Sequence, residues 1–92
     1  MPYFVYILFS EKDKKLYVGC TTDLDRRQKA HNFGKVQATR DRRPVKLIYS
    51  EEYQNKAEAF NRERFLKSLW GARLKKKILC EYINKIGHTN IG

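Results

Sequence analysis

Cysteine is scarce in this 92-residue chain, Cys20 and Cys80 being the only two. They stand alone, with neither metal-ligand nor redox spacing. That excludes a disulfide framework and a thiolate metal site, and it suits a reducing cytoplasm. Repeats, linkers and low-complexity tracts are lacking too. The apolar run Tyr3 to Phe9 is too short to span a membrane, and it has neither the basic start nor the cleavage site of a signal peptide. Acid is the other shortage: 10 Asp and Glu face 20 Lys and Arg, a formal net charge of +10.

The excess of base is clustered. From Arg26 to Lys46 one acid, Asp41, stands among Arg26, Arg27, Lys29, Lys35, Arg40, Arg42, Arg43 and Lys46. From Arg64 to Lys77 there is base and no acid. Such clustering favours a polyanionic partner, nucleic acid ahead of membrane, over a merely solvated basic face. Hydrophobic content of 41% and aromatic content of 13% are ample for a packed core, which excludes disorder; the length allows one small domain.

Tyr3 to Phe9 is aromatic and β-branched and reads as a buried strand. The polar stretch Ser10 to Lys15 turns the chain, and Leu16 to Cys20 answers as the second arm of a hairpin. Thr22 is placed to cap a helix running to about Phe33, with Asp25 in its first turn and Gly34 at its stop. Lys35 to Arg43 is a basic loop without periodicity. A third strand follows Pro44, from Val45 to Tyr53, with Leu47 and Tyr49 on one face and Lys46, Ile48 and Ser50 on the other. Asn55 and Glu58 form a capping-box pair at the head of a second helix, which Gly71 should break or bend. A third helix spans Ala72 to Ile86, with Leu74, Ile78, Tyr82 and Ile86 on one side. The order ββαβαα predicts an α+β fold: a three-stranded, mostly antiparallel sheet flanked by three helices. Residues 1–86 form the domain and 87–92 a flexible C-terminal tail.

Glu63 is the residue least at ease in this pattern. Ala59, Phe60, Leu66, Leu69 and Trp70 recur at helical spacing and mark a core-facing stripe, with Glu63 in its middle. A carboxylate there needs an ion pair, hydrogen bonds or a metal. Arg27 is a candidate for the ion pair. On the first helix Leu24, Arg27 and His31 share one stripe, and Leu24 should turn it towards the sheet. Tyr6 and Tyr17 lie on neighbouring arms of the hairpin, able to share a face. Taken singly, the Arg and His suit an ordinary surface and the tyrosines ordinary packing. Gly19, two residues after Tyr17, opens the strand end to close approach.

Together, Phe4-Val5-Tyr6, Tyr17-Val18-Gly19, Arg27, His31 and Glu63 are spaced as in the GIY-YIG nuclease superfamily, which this chain resembles from about Pro2 to Ile83. It is most similar to the small, single-domain bacterial members, which carry counterparts of Thr39, Arg43, Pro44 and the Phe65-Leu66-Lys67…Trp70-Gly71 segment. Phe4 stands at the glycine of the first signature, and Cys20 stands where the DNA-repair incision members have lysine. The resemblance implies an endonuclease that hydrolyses nucleic-acid phosphodiesters with one divalent ion, Mg²⁺ or Mn²⁺, leaving a 5′-phosphate and a 3′-hydroxyl. It implies Glu63 as the one protein ligand of that ion and Tyr17 as the group that orients or deprotonates the attacking water, with Arg27 and the metal favouring its anion. Arg27 would bind the phosphate, Tyr6 would donate to phosphate or water, and His31 would assist as an acid–base group or phosphate donor. Lys35, Arg40, Arg42 and Arg43 of the loop, with Arg73, Lys75, Lys76 and Lys77, would hold the flanking backbone. DNA stands ahead of RNA as partner, and a protein partner could supply specificity. Two rivals are a nucleic-acid binder on the same scaffold without strong catalysis, and a structural partner whose basic faces meet an acidic protein.

Overall fold

The computed structural model describes residues 2–91, with side chains through residue 85. Its sheet has the order β2-β1-β3, all neighbours antiparallel, with β1 (Tyr3–Ser10) central, β2 (Leu16–Thr21) on one edge and β3 (Val45–Tyr53) on the other. Helices α1 (Leu24–Asn32), α2 (Lys56–Lys67) and α3 (Ala72–Ile91) complete the ββαβαα order expected. Two short 3₁₀ turns, Arg40–Arg42 and Leu69–Gly71, interrupt the connections.

Alternation along β1 divides the core between the two faces of the sheet. Val5 and Ile7 face α2 and α3 and pack with Ala59, Leu66 and Ile78. Tyr6 and Leu8 face the other way and pack with Val45, Leu24 of α1 and Leu47. Helices on both faces bury the middle of β1 completely: Val5, Ile7 and Leu8 are at most 1% exposed. Each such aliphatic side chain contributes about 1.5–3 kcal/mol relative to exposure.

β3 departs from the expected alternation. Ile7 pairs with Tyr49 while Leu8 pairs with Leu47, so Ile48 is an extra residue, a bulge. The bulge reverses the phase of the strand. Leu47 packs on the α1 face, whereas Ile48 and Tyr49 both pack on the α2–α3 face. Leu47 and Tyr49 therefore lie on opposite faces, not on one as their spacing predicts.

Other boundaries follow from local chemistry. The N-cap of α1 is Asp23, not Thr22: its carboxylate accepts from Arg26 N at 3.1 Å, while Thr21 Oγ1 accepts from Asp23 N at 3.2 Å. The helix closes with Gly34 N donating to His31 O and Lys35 N to Ala30 O, and Gly34 has φ 76°. That left-handed step favours glycine, as the sequence predicts. Asn55 caps α2 as expected, its Oδ1 accepting from Ala57 N and Glu58 N. Gly71 ends the bend between α2 and α3, and a Cβ there would strike the backbone of Phe65 and Leu66. The backbone of α3 runs past the expected end at Ile86 to Ile91; the side chains of 86–91, and Gly92, lie outside the described residues.

Candidate active site

Tyr6 sits opposite Gly19 in the β1–β2 pairing, and its phenol lies where a Gly19 side chain would otherwise stand. A Cβ at Gly19 would overlap the ring, so this glycine is required by close packing. Two residue pairs further, Tyr17 stands opposite Leu8 on the same face as Tyr6. α1 crosses this face, and its last turn lowers His31 onto Tyr6, ring edge to ring face with centroids 5.9 Å apart.

A chain of hydrogen bonds follows. Arg27 Nε donates to the Tyr6 hydroxyl at 3.1 Å, that hydroxyl meets His31 Nε2 at 3.1 Å, and His31 Nδ1 meets Thr39 Oγ1 at 2.6 Å. His31 and Thr39 are buried, at 4% and 1% exposure. The loop after α1 folds back to supply Thr39, so both ring nitrogens of His31 are satisfied. Burial, then the positive charge of Arg27, hold His31 below its ordinary pKa. It is a neutral imidazole at neutral pH.

α2 reaches the same place around the open edge of β2. A cavity of about 500 Å³ is bordered by Tyr6, Tyr17, Arg27, His31 and Glu63, the five residues singled out as catalytic. Gly19, Cys20, Thr39, Lys67 and Lys75 also border it. Glu63 is the one acidic residue among those lining it. Its side chain is 21% exposed, and Lys67 Nζ sits 3.0 Å from Oε2.

Three expectations are corrected here. The α2 stripe is narrower than its spacing suggested. Ala59 and Leu66 are buried, but Phe60 is 48% exposed, and Leu69 and Trp70 are 93% and 84% exposed. The 3₁₀ turn carries Leu69 and Trp70 off the helical phase and outwards. Glu63 consequently stands at the edge of the core, beside solvent. Second, Arg27 does not pair with Glu63; its Nε serves Tyr6, and Lys67 one turn along α2 serves Glu63. Third, the Tyr17 hydroxyl is partnered by Asp13, not by Arg27. That hydroxyl donates to Asp13 Oδ2 at 2.7 Å, and burial together with that carboxylate raises its pKa above the ordinary tyrosine value, outweighing the opposite pull of Arg42. Cys20 is a thiol and brings no positive charge to offset this; burial and the Glu63 carboxylate hold that thiol above its ordinary pKa.

The basic residues divide. Lys75 borders the cavity, while Arg73, Lys76 and Lys77 point to solvent from α3. Arg42 is paired with Asp13 at 3.2 Å. Arg43 donates to Arg40 O at 2.8 Å and lies against Gly34, fastening the loop to the end of α1. Arg40 is exposed on the loop. Lys35 borders a second hollow of about 780 Å³ along α1, with Arg26, Arg27 and Lys29, so Arg27 faces both. Asp13 and Lys67 were not among the site residues expected from the sequence, and Arg26 and Lys29 figured there only as part of the basic cluster. Lys67 was legible as the (i, i+4) partner of Glu63, but nothing local linked Asp13 to Tyr17.

Comparison with known proteins agrees with this geometry. The family model of the GIY-YIG catalytic domain matches residues 2–77. UPF0213 protein CPE1444 of Clostridium perfringens is 51% identical over 67 residues, 72% of this chain and 71% of the relative. UPF0213 protein NP_0776A of Natronomonas pharaonis is 41% identical over 80 residues, 86% of this chain and 93% of the relative. The solution NMR structure of UPF0213 protein BH0048 from Bacillus halodurans is similar with a TM-score of 0.51 and 38% identity, over 87% of this chain and 84% of that one. With its fold, its cavity and its sequence in agreement, the chain belongs to the GIY-YIG family.

Proposed function

We propose that this protein is a metal-dependent endonuclease that hydrolyses nucleic-acid phosphodiesters to 5′-phosphate and 3′-hydroxyl ends. One observation carries the reading: residues from β1, β2, α1 and α2, distant in sequence, border a single cavity that opens among basic side chains. The donor set fits a hard divalent cation. A single carboxylate at the edge of solvent leaves room for water ligands, as Mg²⁺ or Mn²⁺ prefers, and the ammonium of Lys67 already holds a cation at that oxygen. Glu63 would hold the ion, which when bound polarises the phosphate and offsets developing negative charge.

The chain's own groups divide the remaining work. Arg27 anchors the phosphate through the guanidinium nitrogens that Tyr6 does not use. Tyr6, accepting from Arg27, keeps its own proton for His31 or a phosphate oxygen. His31, neutral and held by Thr39, serves as a hydrogen-bonding and proton-accepting group rather than as a cation. Tyr17 orients water through its oxygen. Lys75 and the exposed bases of α3 and the loop hold the flanking backbone, with DNA the preferred partner.

A binder without strong catalysis is the second reading, favoured by Cys20 at the lysine position and by the raised pKa of Tyr17. Labelled single-stranded, duplex, flap and junction substrates, incubated with and without Mg²⁺ or Mn²⁺, separate the two. Metal-dependent cleavage by wild type that is lost in Arg27→Ala supports the enzyme. Tight, salt-sensitive binding with no cleavage of any substrate supports the binder.

A further inference from the structure

The hairpin turn between β1 and β2 holds a carboxylate that the proposed chemistry has not used. Asp13 is four residues before Tyr17, and its Oδ2 accepts the Tyr17 hydroxyl at 2.7 Å. Asp13 is itself held firmly. Oδ1 accepts from Lys15 N at 2.9 Å, Arg42 Nε lies 3.2 Å from Oδ2, and Asp13 N donates to Ser10 Oγ at 3.2 Å. Ser10, fully buried, donates in turn to Arg42 O at 2.6 Å. The turn and the 3₁₀ segment are thereby locked together around one carboxylate, whose side chain is 17% exposed.

An ionised carboxylate only accepts, and a phenol has one proton. The Tyr17 proton is therefore committed to Asp13, and what Tyr17 can turn to the cavity is its oxygen lone pairs. Tyr6 is wired in the opposite sense, because its oxygen already accepts from Arg27 Nε. We propose that Asp13 is a positioning residue that fixes Tyr17 as a hydrogen-bond acceptor for water in the cavity, leaving Tyr6 as the donor of the pair. Asp13 takes no proton in the reaction, and Tyr17 remains a phenol throughout. The role of that water rests on the nuclease reading above; the fixing of Tyr17 does not. The arrangement also accounts for a site without the lysine, since an acceptor tyrosine needs no cation to ionise it.

The test is Asp13→Asn, which keeps the size of the side chain and an oxygen for Lys15 N, combined with Tyr17→Phe. Tyrosine labelled with ¹³C at Cζ reports the Tyr17 titration by NMR, with Tyr17→Phe assigning the signal. The wild-type midpoint should lie above that of a free tyrosine and fall in Asp13→Asn. An unmoved midpoint overturns the proposal. If Asp13→Asn does not fold, a wild-type midpoint at or below the free value overturns it equally. In cleavage, Asp13→Asn should lower kcat about ten- to a hundredfold at unchanged nucleic-acid affinity. In the Tyr17→Phe background the same change should do nothing further. Equal losses in both backgrounds would mean that Asp13 only braces the hairpin, and would overturn the proposal. A wild type that cuts no substrate sinks the nuclease reading alone, and the Tyr17 titration still decides the role of Asp13.

Discussion

The two faces of the sheet bury polar groups by the same rule and to different ends. On the α2–α3 side, Glu51 accepts from the hydroxyls of Tyr49 and Tyr53 and from Arg62 Nε and Nη2, at 2.8 and 3.0 Å for the two nitrogens. Every member of that network is satisfied by another, and none borders the cavity. On the α1 side, Arg27, Tyr6, His31 and Thr39 are linked just as continuously, but all four also border the 500 Å³ cavity. Among the described residues no buried side-chain nitrogen or oxygen lacks a partner. A closed network contributes rigidity, because each polar group has lost its water and found a substitute. A network open at one side keeps hydrogen-bonding capacity for something else. The edge strand β2 is where the second kind becomes possible, because Gly19 lets the Tyr6 phenol reach across it.

The comparison is broken most sharply by Glu63→Gln. If the open side is catalytic, cleavage should fall more than about a hundredfold, the loss of several kcal/mol of charge stabilisation. The melting temperature without metal should hardly change, since the partner lost is Lys67, whose side chain is 56% exposed. A large drop in the apo midpoint would mean that Glu63 is structural.

Leu66→Ala is the converse, a change confined to the closed face. Leu66 is fully buried, so its truncation should cost about 2–5 kcal/mol in denaturant unfolding. Cleavage per folded molecule should be retained. A catalytic loss beyond the folded fraction would show that the faces are coupled through α2.

Acid should test the closed network next. Hydrogen bonds and the charge of Arg62 outweigh burial and hold Glu51 at about 2, against an ordinary 4.5. The folded pKa is depressed, so this contribution is complete above the ordinary value and is lost as pH falls through about 2. It amounts to at most on the order of 3 kcal/mol. Glu51→Gln should flatten the acid limb of a stability-against-pH curve; an unchanged slope would show that the network contributes little.

The smallest effect is expected from His31. Its folded pKa lies below the ordinary 6.5, so protons bind the unfolded chain more readily. Stability from a neutral His31 is full above about pH 6.5 and falls as acid is added through the folded value. Urea midpoints taken between about pH 7.5 and pH 5.5 should decline modestly in wild type and stay flatter in His31→Gln.

The sequence by itself determined the elements, their order and the candidate residues. Hydrophobic period, caps at Asn55 and Gly34 and the aromatic run of β1 are local signals, and helix and strand formation responds to them directly. The stripe Leu24-Arg27-His31 was legible for the same reason. What only the tertiary structure decided depends on which group faces which across the fold. The bulge at Ile48, set by pairing with Ile7 and Leu8, moved Tyr49 to the other face. The 3₁₀ turn after α2 sent Leu69 and Trp70 outwards and left Glu63 at a solvent edge. The hairpin turn gave the Tyr17 proton to Asp13 instead of leaving the phenol beside Arg27. Residue type and spacing carry no record of these partners, because hydrogen-bond direction and charge pairing are settled only when packing brings distant side chains within about 3 Å.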